Sequence, residues 1–351
     1  MTVDVQVPQD SLLKALLALH DALRRGVLDE MVESTVEPSA VADDSSPGDT
    51  VYAIDRVAEG RLLELVADHL ASWLPVVVVA EGLSDTGHGD GVASVPRSAP
   101  LTDGTLWLIV DPIDGTRGLM YGKRSAWILT GVATPDGSNS QLRLRNIHTA
   151  VQTEIPTAKQ NLADTLWALR GQGAGGHRTD MVSGEVSSLR RGPSAAQTLE
   201  HGFGQVMRAF PGGRELLAAI DDEICRIAGP AGRSGKAASF EDQYISTGGQ
   251  LAELVYGHDR WTADLRPLLN PILVARKQPE VLCCHPYDIC SVLIAEESGV
   301  IVTDISGRAL DAPLNIQQDV SWVGYANEAI RAKVEPALFQ ALRKYGLSPG
   351  Y

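Results

Sequence analysis

Apolar residues near the start of the chain recur at the spacing of an α-helix. Asp10 and Ser11 precede leucines at positions 12, 13, 16, 17 and 23, which predicts a capped amphipathic helix. The segment 55–70 shows similar spacing and ends before Pro75, so it predicts a second helix. Two short apolar runs, 76–80 and 105–110, then predict buried strands separated by an irregular segment rich in Gly, Asp, Ser and Pro.

The rest of the chain alternates between strand and helix patterns. Strands are predicted at 126–133, 163–170, 281–284 and 300–303, and helices at 212–228, 246–257, 288–298 and 327–345. Polar, turn-rich segments predict a mobile loop at 43–49 and a domain boundary within 181–193. We therefore predict an N-terminal α+β domain, residues 1–185, followed by a C-terminal α/β domain, residues 186–351.

The charge balance is acidic, with 44 Asp and Glu against 30 Lys and Arg in 351 residues. This argues against nucleic acid or an anionic membrane as the main partner. No apolar run reaches the length of a membrane helix, and the N-terminus lacks the features of a signal peptide, so a cytoplasmic protein is expected. The four cysteines, at 225, 283, 284 and 290, lack zinc-ligand spacing and are expected to be reduced and buried.

The strongest chemical signal lies between Trp107 and Thr116. An apolar strand runs into Asp111 and Pro112, and the strand is expected to end there because proline cannot donate to a sheet ladder. Asp111 and Asp114 would then present oxygens to the same small volume, which a divalent cation such as Mg²⁺ would stabilise. Taken alone, however, Asp-Pro and Asp-Gly pairs are equally typical of a plain turn.

The segment Asp111-Pro-Ile-Asp-Gly-Thr116 resembles the signature of the inositol monophosphatase family. These are Mg²⁺-dependent, lithium-sensitive phosphomonoesterases, related to 3'(2'),5'-bisphosphate nucleotidases and fructose-1,6-bisphosphatases. Further stretches match in the family's order: Tyr52-Ala-Ile-Asp55, Val79-Ala-Glu81-Gly82, and His285-Pro-Tyr-Asp288-Ile-Cys290 followed by Ala295–Gly299 and Asp304–Gly307.

The resemblance implies a layered αβαβα sandwich with its site between the halves. It also implies that Glu81, Asp111 and the Ile113 carbonyl hold one Mg²⁺, and that Asp111, Asp114 and Asp288 hold a second. Two or three Mg²⁺ ions per site are expected, with Mn²⁺ as a substitute. Asp55 and Thr116 would activate water for direct attack on a small phosphorylated substrate, which Asp114, Gly115, Thr116 and Arg117 would contact. A homodimer is a further family-level expectation.

Three of these carboxylates also have ordinary structural explanations. Glu81 follows a predicted strand and could be a surface acid or a cap. Asp288 and Asp55 each precede a predicted helix, and either could be a helix N-cap. A catalytic role and a capping role are compatible, because a carboxylate at the start of a helix can also face a cleft.

Departures from the family pattern bear on the substrate. Arg117-Gly118-Leu119 is more similar to the bisphosphate nucleotidases, and Val281 falls near the place of a glutamate that contacts inositol hydroxyls in monophosphatases. Gly82 replaces a glutamate that is not needed as a ligand, and Tyr287 replaces a tryptophan, which we interpret as a packing change. Basic residues between 258 and 285, including Arg266, either bind a second phosphate or form a solvated loop.

The expected activity is hydrolysis of an inositol, cyclitol or sugar monophosphate. A bisphosphate nucleotidase, a sugar bisphosphatase and a catalytically silent binding protein remain as alternatives. The run Gly171-Gln-Gly-Ala-Gly-Gly176 fits a dinucleotide-binding pattern, but no apolar helix follows it, so a hairpin turn is expected instead. His201 and His285 are expected to be structural or rim residues.

Overall fold

A computed structural model of the protein describes residues 10–33, 41–43, 51–83, 88–89, 91–136, 141–189, 192–229 and 235–347. The helices are α1 Ser11–Glu33, α2 Ala53–His69, α3 Thr116–Met120, α4 Arg214–Ala228, α5 Thr247–Val255, α6 Asn270–Ala275, α7 Val292–Glu297 and α8 Glu328–Lys344. The strands are β1 Val41–Asp43, β2 Val51–Tyr52, β3 Val76–Ala80, β4 Val92–Val95, β5 Leu106–Asp114, β6 Ala126–Ala133, β7 Ile147–Ile155, β8 Leu162–Leu169, β9 Gly173–Asp180, β10 Val186–Ser188, β11 Phe203–Val206, β12 Asp259–Asp264, β13 Ile301–Thr303 and β14 Trp322–Tyr325. Short 3₁₀ helices lie at Ala71–Trp73, Leu101–Asp103, Leu144–Asn146 and Arg266–Leu269.

Two mixed sheets form the frame of the described chain. The larger sheet has the strand order β10-β9-β8-β7-β6-β5-β3-β4, in which only β3 and β5 are parallel neighbours. The smaller sheet has the order β11-β12-β14-β13, with β11 and β12 parallel. Because β3 and β5 are parallel, the residues that follow them lie at the same edge of the larger sheet.

Helices separate and cover the two sheets. Helices α1 and α2 pack on one face of the larger sheet, α5 and α7 lie between the sheets, and α4 and α8 cover the far face of the smaller one. Three apolar cores fill the spaces between these layers. This is the αβαβα sandwich that the family resemblance implied.

Capping residues define two of the predicted helices. Asp10 Oδ1 accepts a hydrogen bond from the backbone N–H of Leu13, so α1 begins at the predicted signal, although it extends to Glu33. Asn327 caps α8 in the same way by accepting from the N–H of Ile330. Both are local side-chain contacts, which is why the sequence pattern located these helix starts.

Pro112 does not end β5, contrary to expectation. The parallel partner β3 ends with Ala80 opposite Val110, so no ladder bond is needed from Pro112 on that side. On the other side, the register with β6 shifts between Asp111 and Asp114. A proline is tolerated at such an irregularity, and the strand continues to Asp114.

Two predicted elements after residue 280 are wrong. No strand forms at 281–284, because the N–H of Val281 donates to the side chain of Asn270 and the segment pairs with no strand of the sheet. The helix expected over 288–298 begins only at Val292, after a series of turns. Further strands form in segments where no strand was predicted: β1, β2, β4, β7, β9, β10, β11, β12 and β14.

The larger sheet continues into the turn-rich segment after residue 180, because β10 pairs with β9. The smaller sheet begins at Phe203. The domain division at 185 and 186 stays a prediction. Of the predicted loop at 43–49, Asp43 belongs to β1 and the other residues lie outside the described ones.

The four cysteines are free, as expected, although Cys225 is only half-buried. Among the described residues, no helix is both long and apolar enough to cross a membrane.

Candidate active site

One pocket collects every residue that the sequence analysis placed in the site. It forms where the ends of β3 and β5, the starts of α2 and α5, and the turns before α7 converge. Its lining includes Asp55, Glu81, Asp111, Ile113, Asp114, Gly115, Thr116, Arg117 and Asp288. These residues come from four separated stretches of sequence, so the fold brings them together.

Three carboxylates in this pocket form a compact cluster. One oxygen from each of Asp111, Asp114 and Asp288 lies within 4.8 Å of the others, although Asp288 is 174 residues beyond Asp114. Burial, then the charges of Asp114, Asp288 and Glu81, raise the pKa of Asp111 well above its usual range. Burial and the charge of Asp288 raise the pKa of Asp114 to about 7. Oxygen donors crowded in this way fit a hard divalent cation, which would remove their repulsion.

The start of α5 fixes the carboxylate of Asp114. The Ser246 hydroxyl and the backbone N–H of Gly248 donate to its Oδ2 at 2.8 and 2.6 Å, and the N–H of Thr247 donates to its Oδ1 at 3.2 Å. These bonds oppose the rise in the pKa of Asp114. The sequence analysis missed Ser246, which is 132 residues away in sequence and belongs to no motif that was recognised.

Asp288 is not the N-cap of α7. The residue before that helix is Ser291, and Asp288 instead accepts a hydrogen bond from the N–H of His285 at 2.6 Å. The carboxylate therefore closes its own turn and remains beside Asp111 and Asp114. His285 lies against the site, with its imidazole 3.6 Å from both Asp288 and Asp319.

Glu81 follows β3 and lines the same pocket, outside the compact cluster of three aspartates. The phenol of Tyr287 donates to Glu81 Oε2 at 2.9 Å. The tyrosine at 287 is therefore more than a packing residue, because its hydroxyl donates a hydrogen bond within the site.

Thr116 and Asp55 form the expected pair. Thr116 Oγ1 lies 2.8 Å from Asp55 Oδ1 and 2.9 Å from the Ile113 carbonyl oxygen, so its one proton can go to either acceptor. Asp55 Oδ2 accepts from the N–H of Tyr52. Asp55 is the third residue of α2 and not its N-cap, and it combines a capping-box contact with the contact to Thr116.

Aromatic rings hold the basic residues at the rim. The Arg117 guanidinium lies 5.5 Å from the centre of the Tyr52 ring and 5.2 Å from that of Phe210. The Arg266 guanidinium lies 5.3 Å from the centre of the Phe210 ring, and it forms a buried ion pair with Asp264. Arg266 is therefore no part of a solvated loop, whereas Arg276 is exposed beside Glu215.

Glu59 is a further acidic residue that the sequence analysis missed. It lines the pocket one helical turn after Asp55, and burial together with the charges of Asp55 and Glu81 raises its pKa to about 7. Its carboxylate packs against Gly82, where any side chain would collide with it. The spacing of four residues from Asp55 on a predicted helix was the available signal.

The glycine-rich run at 171–176 is the hairpin turn that we expected. Gly171 lies in the connection between β8 and β9, and Gly173 is the first residue of β9. Their backbone N–H groups donate to the two carboxylate oxygens of Glu297, at 2.7 and 2.8 Å. A protein carboxylate thus occupies the donors that a phosphate would need.

Comparisons with known proteins agree with these motifs. No protein-family model matches the chain. It is 24% identical over 316 residues to the fructose-1,6-bisphosphatase/inositol-1-monophosphatase of Methanothermobacter thermautotrophicus, covering 88% of this chain and 93% of that protein. The match extends over most of both proteins. The chain is therefore similar in sequence to a member of the inositol monophosphatase family.

Solved structures share the fold of this protein. The extragenic suppressor protein SuhB from Bartonella henselae matches with a TM-score of 0.62 at 17% identity, covering 94% of this chain and 98% of that one. Leishmania major fructose-1,6-bisphosphatase matches with a TM-score of 0.61 at 13% identity, covering 96% of each chain. At such identities the comparison establishes the layered sandwich and not the substrate.

Proposed function

We propose that this protein is a metal-dependent phosphomonoesterase that hydrolyses a small phosphorylated metabolite such as an inositol, cyclitol or sugar phosphate. The observation that carries the proposal is the cluster of Asp111, Asp114 and Asp288 in one pocket with the Thr116–Asp55 pair. Metal ligands and a proton acceptor are the two components that water attack on a phosphate ester requires. The name of the Methanothermobacter relative supports the same class of reaction.

The proposed metal ligands are all oxygen donors. Glu81, Asp111 and the Ile113 carbonyl would hold one ion, and Asp111, Asp114 and Asp288 a second. Mg²⁺ prefers such ligands, and Mn²⁺ is an acceptable substitute. The bound ions would stabilise charge on the phosphoryl oxygens and lower the pKa of the attacking water.

Thr116 and Asp55 are proposed to accept the proton of that water. The Thr116 hydroxyl can pass its own proton to Asp55 Oδ1, 2.8 Å away, and take another on the same oxygen. The N–H of Tyr52 holds the second oxygen of Asp55, which keeps the carboxylate aimed at Thr116. The backbone N–H groups of Gly115 and Thr116 are proposed to donate to the phosphate.

The position of Arg117 supports a second candidate function, the hydrolysis of a substrate that carries a second phosphate. Its guanidinium is oriented by the rings of Tyr52 and Phe210 at the rim of the pocket. A cation there would attract an anionic group on the leaving part of a bisphosphate nucleotide or sugar bisphosphate. The aromatic rings could also contact a nucleobase.

Phosphate release by the purified protein tests both candidates. Inositol monophosphates, adenosine 3',5'-bisphosphate and fructose-1,6-bisphosphate would be compared with Mg²⁺, Mn²⁺ and EDTA. The proposal requires metal-dependent release from at least one substrate. Intact metal binding without release from any of them would favour the catalytically silent alternative.

Arg117→Met distinguishes the two substrate classes, with Arg97→Met as a control at an exposed position outside the pocket. If Arg117 contacts a second phosphate, its loss raises KM for bisphosphates more than for monophosphates, while Arg97→Met changes neither.

Inhibition by millimolar lithium, a homodimeric state and a cytoplasmic location stay predictions from the resemblance. Gel filtration with light scattering and lithium titration would check the first two.

A further inference from the structure

We propose that Tyr287 is a positioning residue that orients Glu81 for metal binding. This inference rests on the proposed function, because it concerns a ligand of the proposed first metal ion. The phenol donates to Glu81 Oε2 at 2.9 Å. Tyr287 is adjacent to Asp288, so one turn of the chain supplies both a ligand and the group that holds another ligand.

The tyrosine ring is itself firmly held. Tyr287 is 5% exposed, and its ring stacks on the imidazole of His285 with an interplanar angle of 4° and a centroid distance of 5.5 Å. The backbone N–H of His285 is bonded to Asp288. The phenol therefore has little freedom to leave Glu81, which is what orienting a flexible glutamate requires.

The contact joins distant parts of the chain. Glu81 ends a strand of the larger sheet, and Tyr287 lies 206 residues later in the turns before α7. Partners that hydrogen-bond a metal ligand fix its orientation, and their loss typically weakens metal binding about 10–100-fold. A tryptophan or phenylalanine at 287 could pack in the same space but would lack the hydroxyl.

Tyr287→Phe tests the proposal, because it removes the hydroxyl and keeps the ring. Tyr325→Phe is the matched control: Tyr325 is a fully buried tyrosine in the smaller sheet and does not line the pocket. Mn²⁺ affinity would be measured from the electron paramagnetic resonance signal of free Mn²⁺, without substrate. Thermal unfolding in EDTA would show that each variant is folded.

We expect Tyr287→Phe to weaken Mn²⁺ binding at least about tenfold and Tyr325→Phe to leave it unchanged. In a Glu81→Ala background, Tyr287→Phe should have no further effect, since the phenol acts through Glu81. Wild-type affinity in Tyr287→Phe, or an equal loss in Tyr325→Phe, would overturn the inference. If the wild type bound no Mn²⁺ and released no phosphate, the proposed function itself would fail.

Discussion

The hydroxyl oxygen of Thr116 lies 2.8 Å from Oδ1 of Asp55, across 61 residues of sequence. The contact joins the end of the Asp-Pro-Ile-Asp-Gly-Thr segment to the first turn of α2. Thr116 is the first residue of α3, shortly after β5. Asp55 is fixed by a hydrogen bond from the backbone N–H of Tyr52 to its Oδ2. The proposed proton path depends on this pair.

Replacing Thr116 with Val should lower kcat about 10²–10⁴-fold, because the proton acceptor is lost. Thr116→Ser keeps the hydroxyl and should retain most of the activity. Neither change should alter Mn²⁺ affinity, since the hydroxyl is not a proposed ligand. Steady-state kinetics and Mn²⁺ titration of both variants check this. Full turnover by Thr116→Val would rule out the proposed role.

Ser246→Ala should affect both stability and the metal site. Ser246 caps α5 by accepting from Gly249, and it also donates to Asp114. Loss of the cap should lower the free energy of unfolding by about 1 kcal/mol, as measured by urea unfolding in EDTA. Loss of the donor should weaken metal binding.

Asn327→Ala is the control for Ser246→Ala, because it removes the cap of α8 far from the pocket. It should lower stability to a similar degree and leave Mn²⁺ affinity unchanged. If the two variants bound Mn²⁺ equally well, Ser246 would have only a structural role.

Metal binding should strengthen as the pH rises from 6 to 8. Burial and Asp288 raise the pKa of Asp114 to about 7 in the metal-free protein, so a cation must displace a proton below that pH. Calorimetry at pH 6 and pH 8, in buffers of different ionisation enthalpy, would detect tighter binding and less proton release at pH 8. Equal affinity at both pH values would contradict the proposed ligand role of Asp114.

The same raised pKa values predict how the metal-free protein responds to pH. A carboxyl whose folded pKa exceeds its unfolded value contributes stability at low pH that is lost as the pH rises through the folded pKa. In EDTA, the free energy of unfolding should therefore fall as the pH rises from about 4, where the unfolded carboxyls ionise, to about 7, the pKa of Asp114 and of Glu59 in the folded protein, and then level off. Mg²⁺ should reverse the fall, and thermal unfolding with and without Mg²⁺ would measure it.

His20 should make the protein acid-sensitive. It is fully buried between the hydroxyls of Thr130 and Thr153, and burial, followed by the charge of Arg24, lowers its pKa to about 3. Because the unfolded chain takes up the proton near pH 6.5, stability present above that pH is lost as the pH falls towards 3. At pH 5 the loss should be about 2 kcal/mol.

Comparison with His20→Gln would isolate this contribution. Urea unfolding at pH 7 and pH 5 should show a smaller decrease for His20→Gln than for the wild type, although its stability at pH 7 is lower. An equal pH dependence in the two proteins would show that His20 does not titrate as described.

Sequence patterns predicted the parts of the fold that depend on neighbouring residues. The apolar run of β3 and the cap at Asp10 are local signals, and the structure contains them. The family motifs also identified nine of the residues that line the pocket, from Asp55 to Asp288, although not Glu59 or Ser246. Local patterns failed at Pro112, where the absence of a pairing partner decides whether the strand continues.

Other features depend on contacts between distant residues, which no local pattern encodes. Ser246 became part of the site only because α5 packs beside β5. The phenol of Tyr287 reaches Glu81 from the other half of the chain. Likewise, the apolar segment 281–284 resembled a strand but is buried without a strand to pair with. The roles of these residues follow from the fold.

Asp111→Asn tests the central claim most directly. Asp111 is proposed to contact both metal ions, so the variant should lose Mn²⁺ binding and metal-dependent phosphate release together. It should also unfold at a higher temperature than the wild type in EDTA at pH 8, because burial and the neighbouring carboxylates, which raise the pKa of Asp111, disfavour an ionised form that asparagine lacks. Asp29→Asn, at an exposed position of α1, should match the wild type in all three measurements. Full metal binding and turnover in Asp111→Asn would show that the catalytic metal site lies elsewhere.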